Sequence, residues 1–160
     1  MNVKSPKAAV TPIELEHFLP YRLNVVAEAV SRALARLYET RHGISIAEWR
    51  VIATLGQYTR MTAKDIGAHS RMHKTKVSRA VARLETRKCI ARTSNAADMR
   101  EAFLELTDEG RAIYDDLVPR ALAFEQKLSD ALSTEEQANL DALLSKLEIS
   151  ALDNAGDGET

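Results

Sequence analysis

The fold is decided by residues 62–92, which read TAKDIGAHSRMHKTKVSRAVARLETRKCIAR. Thr62 is a favourable N-cap for a short helix predicted over Ala63 to His69. A few residues later, a longer helix is predicted over His73 to Arg87. Its apolar face has the spacing of an amphipathic helix and consists of Val77, Val81 and Leu84. A short helix, a tight turn and a longer basic helix in this order predict a helix-turn-helix.

Two strand-like runs follow the longer helix. They are Cys89–Arg92 and Ala102–Leu106, and the polar segment Thr93–Glu101 between them predicts a hairpin with a long tip. A hairpin directly after a helix-turn-helix is the order of a winged helix-turn-helix. In that fold the second helix enters the major groove of DNA and the hairpin, or wing, reaches the neighbouring minor groove.

Helical patterns extend on both sides of this segment, so the chain is predicted to be mostly α with a small β-hairpin wing. Before it, helices are predicted over Ile13–Leu19 and Tyr21–Arg41. A third helix begins at a capping box formed by Ser45 and Glu48 and runs to about Gln57.

The pattern after the hairpin predicts two further helices. Thr107 caps the first, which extends toward Leu132 with Pro119 in its interior, where we expect a kink or even a split. Ser133 and Glu136 form a second capping box that opens the last helix.

Charge is divided unevenly along the chain. The net charge of −1 hides a basic block at residues 60–100, with 11 Lys or Arg against 3 Asp or Glu, and an acidic block at 101–160, with 4 against 15. A basic block inside a nearly neutral protein predicts a phosphate-binding surface, because neutralising phosphates releases counterions from DNA. A merely solvated face would usually mix both signs.

The longer basic helix supplies most candidate DNA contacts. Once its apolar face meets the core, its cationic and hydroxyl side chains point outward. Lys and Arg bind phosphates or guanine edges, and Ser and Thr donate to phosphates. The candidate set is Thr62, His73, Lys74, Thr75, Lys76, Ser78, Arg79 and Arg83.

The stretch Thr62–Gly110 resembles the multiple antibiotic resistance regulator (MarR) family. The resemblance is carried by TAKDIG at 62–67, TKVSRAVARLE at 75–85, Arg92, DMR at 98–100 and LTDEG at 106–110. It implies a winged helix-turn-helix fold, an intertwined homodimer, and double-stranded DNA as a partner.

The resemblance also assigns a role to two residues of the wing. It implies that Asp98 and Arg100 pair there, with Arg100 presented to the minor groove, where a narrow and strongly negative channel favours guanidinium. Both residues therefore join the candidate DNA-binding set. The alternative is a surface ion pair with no role in DNA binding.

Domain boundaries follow from this resemblance and, for the two polar tails, from composition. We expect a flexible tail at 1–12, a single MarR-like domain at 13–152 and a disordered tail at 153–160. Residues 13–42 and 107–150 would form dimerisation helices, and residues 45–106 the DNA-binding lobe. The dimer would hold two basic helices about one DNA turn apart and bury Leu19, Leu132, Leu140, Leu143, Leu144 and Leu147.

The sequence departs from the family pattern at the end of the basic helix. Where the family commonly has a glycine followed by an aliphatic residue, this chain has Lys88 and Cys89. We expect Lys88 to cap helix carbonyls instead of supplying a left-handed residue. Cys89 is expected to pack as a small hydrophobic side chain.

The function implied is that of a ligand-responsive transcriptional regulator, taken as a repressor, which binds palindromic DNA and is released by a small aromatic effector. FLPYRL at 18–23 and EWR at 48–50 are similar to family members that regulate aromatic-compound catabolism, some of which respond to aromatic acyl-CoA thioesters. The candidate effector-binding residues are His17, Tyr21, Arg22, Trp49 and Arg50. Core packing and surface salt bridges are the alternative roles of these side chains.

Other functions remain as alternatives. Cys89 could make the protein a redox sensor, and a winged helix can serve as a protein-interaction module without binding DNA. The four histidines show no metal-ligand spacing; they are His17, His42, His69 and His73. No catalytic motif occurs either, so we predict that the protein binds no metal or cofactor and is not an enzyme. The single cysteine and the lack of a 20-residue apolar segment favour a cytoplasmic protein without a membrane partner.

Overall fold

The computed structural model describes residues 12–94 and 101–156. Within these ranges the chain is mostly helical with one small antiparallel sheet, which confirms the predicted fold class. The elements in chain order are α1 (Leu19–His42), α2 (Ile46–Tyr58), β1 (Arg60–Thr62), α3 (Ala63–Ser70), α4 (Lys74–Thr86), β2 (Ile90–Ser94), β3 (Ala102–Leu106), α5 (Asp108–Ser129) and α6 (Thr134–Gly156).

Two predictions at the ends of the chain are wrong. Residues 13–19 do not form a helix: residues 15–17 make a turn, and α1 begins at Leu19 with Pro20 in its first turn, where a missing N–H costs nothing. The expected tail at 153–160 starts too early, because α6 continues to Gly156. Residues 1–11 and 157–160 lie outside the described residues.

Local capping signals explain where the helices begin. The predicted capping box of α2 is present, since Ser45 and Glu48 each accept a backbone N–H from the other. The same reciprocal bonds join Ser133 and Glu136 at α6, and they lower the pKa of the Glu136 carboxyl. The proline Pro119 lies inside α5 without splitting it.

The sheet has one strand more than the sequence predicts. Its order is β1-β3-β2, and both pairings are antiparallel. The three-residue strand β1 comes between α2 and α3 and pairs Arg60 with Glu105 of β3. The hairpin of β2 and β3 is therefore anchored to the strand that leads into the helix-turn-helix.

The hydrophobic core lies inside the lobe formed by α2–α4 and the sheet, with contributions from the end of α1 and from Leu117 of α5. Burying a large aliphatic side chain stabilises the fold by about 1.5–3 kcal/mol. The largest fully buried side chains are those of Ile44, Ile52, Leu55, Ile66, Leu84, Leu104, Val51, Val77 and Val81.

Lys88 corrects an expectation about the end of α4. Its φ of 57° is left-handed, so this residue does what a glycine commonly does there. The N–H of Lys88 donates to the carbonyl of Glu85, and the N–H of Cys89 donates to that of Leu84, both at 2.9 Å. These bonds, with burial of Cys89, offset the cost of about 1 kcal/mol for a left-handed side-chain residue.

An ion cluster joins the end of α1 to α5. Asp116 accepts from Arg41 at 2.9 Å and lies 2.8 Å from the imidazole of His42. The Arg41 guanidinium, with His42, holds the pKa of the Asp116 carboxyl well below its usual range. The cluster joins the two helices where they leave the lobe. No described helix is long and apolar enough to cross a membrane.

Candidate DNA-binding surface

The predicted basic helix is present as α4, and one of its faces is completely covered. Val77, Ala80, Val81 and Leu84 are buried in the core. His73 serves as its N-cap, with Nδ1 accepting the N–H of Thr75 at 3.3 Å. The thirteen residues of α4 give it a length of about 20 Å.

The opposite face of α4 is polar, cationic and exposed. Thr75 and Arg79 lie opposite the buried stripe, at about 100° per residue around the helix. All the candidate DNA contacts of this helix reach solvent: His73, Lys74, Thr75, Lys76, Ser78, Arg79 and Arg83. The helix can therefore offer guanidinium, ammonium and hydroxyl groups to a phosphate backbone or a groove without losing any core contact.

Three candidate residues differ from the rest of the set. Thr62 is 95% buried, and its hydroxyl donates to the Asp65 carboxylate at 2.8 Å and accepts the Asp65 N–H at 3.1 Å. It is an N-cap of α3 with no group left to offer DNA, so its inclusion among the DNA contacts is wrong. Asp98 and Arg100 lie outside the described residues.

An ion pair joins the wing to α4. Arg92 of β2 donates to the carboxylate of Glu85 through Nε and through Nη2, the latter at 3.1 Å. Such a two-point contact fixes orientation better than a single bond does. In the sequence, Arg92 is only one of the residues that match the family pattern, and nothing identifies Glu85 as its partner. The two residues are seven positions apart on different elements, so the sequence spacing alone does not indicate that they touch; the contact forms only when β2 folds back beside α4.

A second cluster, on the other face of the sheet, was also missed. The guanidinium of Arg60 lies 4.2 Å from the centre of the Phe103 ring and 3.2 Å from the carboxylate of Glu105. It also donates to the hydroxyl of Thr93 at 3.3 Å. We call Arg60, Thr93, Phe103 and Glu105 the sheet clamp. The sheet clamp depends on β1, and a strand of only three residues has too little periodicity to be predicted from the sequence.

The five effector candidates fall into two groups. Trp49 and Arg50 line a cavity of about 230 Å³ between α2 and α3, together with Ala53, Thr54, Gln57, His69 and Ser70. His17, Tyr21 and Arg22 do not line it. His17 is exposed in the turn before α1, and Tyr21 and Arg22 are exposed in the first turn of α1. The ring of Trp49 is stacked on that of Tyr38, with centroids 5.7 Å apart.

Cys89 has the environment of a packing residue, as predicted. It is buried, its thiol donates to the carbonyl of Arg87 at 3.6 Å, and burial raises its pKa. A raised pKa disfavours the thiolate that oxidation requires. Among residues 12–94 and 101–156, no group of three His, Cys, Asp or Glu side chains is arranged to hold a metal ion.

A helix-turn-helix with an exposed cationic second helix, followed by a hairpin fixed to it, defines the winged helix-turn-helix class. Residues 42–101 match the model of the MarR family. The regulator PecS of Dickeya dadantii is 28% identical over 82% of this chain and 81% of its own length. The repressor MdtR of Bacillus subtilis is 27% identical over 67% and 69%.

A solved structure agrees with these relatives along nearly the whole fold. A MarR/EmrR family regulator from Acinetobacter sp. ADP1 has a TM-score of 0.80 and 26% identity, covering 88% of this chain and 99% of that one. Along this fold the chain is similar to MarR-family transcriptional regulators, and the match to the family model lies in its DNA-binding lobe. The aromatic-catabolism subgroup stays a prediction.

Proposed function

We propose that the protein is a cytoplasmic, dimeric repressor that binds palindromic duplex DNA through α4 and the wing of each protomer and releases it on binding an aromatic acid. The observation that carries this proposal is the outward cationic face of α4, opposite a fully buried stripe. The relative MdtR is named as a transcriptional repressor, which supports the direction of control.

The electrostatics of the chain support the same role. The cations of α4 are concentrated near its N-terminal half, where backbone N–H groups and the helix dipole also favour an anion. Most acidic residues follow the wing, and many lie on α5 and α6, away from α4 in the chain. The outward face of α4 itself carries no carboxylate that would repel a phosphate.

Arg79→Ala should weaken binding to the cognate operator by about 1–3 kcal/mol if this side chain reads a base. Arg79 lies near the centre of the outward face and is exposed, so the fold should be unchanged. Affinity is measured by gel shift on the DNA upstream of the protein's own gene, over a range of salt concentrations. Relaxed specificity at one base position would identify a base contact, and uniform weakening a phosphate contact.

Lys127→Ala is the matched control, because it removes an exposed cation from the end of α5, outside the lobe. It should leave operator affinity almost unchanged. The unmodified protein should lose affinity steeply as salt rises. A shallow salt dependence, or equal affinities for the two variants, would favour the protein-interaction module instead.

Unpartnered apolar surface supports the dimer. The described chain leaves large apolar side chains exposed on α1, α5 and α6, although its core is otherwise closed. On α6 they recur at the spacing of one helix face, as Leu140, Leu143, Leu144 and Leu147. A second copy of the chain would cover them by an isologous contact, as a two-fold dimer requires.

The cavity between α2 and α3 supports an effector of one class. Trp49 offers an aromatic surface and Arg50 an exposed guanidinium, which suit a ring bearing a carboxylate. A volume of about 230 Å³ is below the range of about 300–1,000 Å³ typical for drug-sized ligands. We therefore favour a single-ring aromatic acid, with the nucleotide part of any CoA thioester remaining outside the cavity.

Aromatic acids that bind this cavity should raise the melting temperature of the protein, and Arg50→Gln should abolish the rise. Loss of one charge-assisted hydrogen bond costs about 1.5–3 kcal/mol, or at least tenfold in affinity. The measurement is a thermal-shift screen of aromatic acids and their CoA thioesters, with and without operator DNA. An unchanged response of Arg50→Gln, with Arg22→Gln losing it instead, would move the site to the start of α1.

A further inference from the structure

We propose that Arg60 is a positioning residue of the DNA-binding surface, which holds the wing at a fixed angle to the helix-turn-helix through the sheet clamp. The inference rests on the proposed function, because it assumes that the wing contacts DNA. Arg60 itself is assigned no contact with DNA. Its role is to hold the two strands of the wing, β2 and β3, at a fixed angle to α3 and α4, so that the wing can make its proposed contact with the minor groove.

The position of Arg60 in the fold suits this role. Strand β1 leads directly into α3, so it moves with the helix-turn-helix, whereas β2 and β3 carry the wing. The side chain of Arg60 crosses from β1 to both strands, with Glu105 and Phe103 on β3 and Thr93 on β2. One side chain thereby links all three strands of the sheet.

The contacts within the sheet clamp reinforce each other. The Thr93 hydroxyl, which accepts from Arg60, donates in turn to the Glu105 carboxylate at 3.3 Å. The same carboxylate pairs with the guanidinium that lies over the Phe103 ring. A closed network of this kind loses more when one member is removed than a single exposed ion pair does.

The backbone before Arg60 is strained in a way that calls for such support. Thr59 has a φ of 64° and a ψ of −51°, which is unusual for a β-branched residue. Conformations of this kind persist where surrounding contacts hold them. The turn at Thr59 directs the chain from α2 into β1, and the sheet clamp fixes the strand immediately after it.

Contacts on both faces of the sheet hold the wing in place. Arg92 on one face pairs with Glu85 of α4, and Arg60 on the other joins the wing to β1. If either contact is removed, the remaining one allows the hairpin to change its angle to α4. Operator affinity then falls in proportion to the fraction of molecules whose wing is correctly placed.

The test uses Glu105→Gln and Arg60→Ala in the full-length protein, with operator affinity measured by fluorescence anisotropy. Glu105→Gln removes a negative charge, so simple electrostatics predicts tighter DNA binding. The proposal predicts the opposite, a weakening of about threefold, and about tenfold for Arg60→Ala. Arg32→Ala, which breaks an exposed ion pair on α1, is the matched control for Arg60→Ala and should bind as the unmodified protein does. Glu109→Gln removes the same charge as Glu105→Gln outside the sheet clamp, and it should bind DNA equally well or slightly more tightly.

A double-mutant cycle with Arg100→Ala separates positioning from direct contact. If Arg60 acts through the wing, then Arg60→Ala should have little further effect once Arg100 is removed. Additive losses, or tighter binding by Glu105→Gln, would overturn the proposal. If Arg100→Ala binds the operator with normal affinity, the proposed wing contact is wrong, and so is the inference about Arg60 that depends on it. If Arg100→Ala weakens binding but Arg60→Ala and Glu105→Gln do not, the wing contact stands and only the inference about Arg60 is wrong. Circular dichroism and melting curves verify that each variant is folded.

Discussion

Gly110→Ala is expected to lower the free energy of unfolding by about 3 kcal/mol. A Cβ atom at this position would lie 1.9 Å from the carbonyl oxygen of Cys89, which is backbone and has little freedom to move. That same oxygen accepts the N–H of Thr107 at 3.1 Å. Relieving the clash therefore requires the first turn of α5 to separate from the segment that joins α4 to β2. Chemical denaturation measures the loss, which is a large share of the stability of an ordinary domain.

Gly67→Ala is the matched control for this effect. Its Cβ would meet the Met72 carbonyl oxygen at 3.3 Å and a Val77 methyl at 3.4 Å, which small adjustments accommodate. Alanine is also the better helix former by up to about 1 kcal/mol. We expect this variant to be close to neutral. Because helix propensity favours alanine at both positions, similar losses for both glycines would mean that the contact with Cys89 does not control the result.

The elements of this fold were predictable from the sequence because their signals are local. The capping boxes at Ser45 and Ser133 and the apolar stripe of α4 each involve residues within one or two helical turns. Such patterns are complete in a short window of sequence. They fixed the order of the helices, the hairpin and the cationic face of α4.

What the sequence missed depends on contacts between distant residues. Strand β1 exists only because it pairs with β3, more than 40 residues later, and three residues have no periodicity of their own. The left-handed Lys88 is stabilised by the close of α4 and the burial of Cys89, although residue preference argues against it. Arg60 gave no signal for the same reason, since its partners lie on other strands.

The predicted DNA contacts show the same division. Side chains on α4 could be assigned from helical geometry, and all of them are exposed. Thr62 was misassigned because a hydroxyl before a helix suits both a cap and a phosphate contact. Only the packed structure, with Asp65 against that hydroxyl, distinguishes the two roles.

Leu144→Asp should weaken dimerisation by at least about 100-fold. Leu144 lies on the exposed apolar face of α6, where a second copy of the chain would bury it. Burying a leucine contributes about 1.5–3 kcal/mol. Both protomers of a two-fold dimer carry the substitution, so the dimer loses this contribution twice. At 1.4 kcal/mol for each factor of ten, the loss exceeds two orders of magnitude. Sedimentation equilibrium over a range of protein concentrations measures it.

Operator binding should fall together with dimerisation, because two α4 helices reach successive major grooves only when a dimer holds them about 34 Å apart. Ala142→Asp is the matched control: it adds the same charge two residues earlier, on the opposite side of α6. It should leave both properties nearly unchanged. If Leu144→Asp gave a monomer that still bound the full operator with undiminished affinity, each lobe would recognise DNA independently. The apolar face of α6 would then serve some purpose other than spacing the recognition helices.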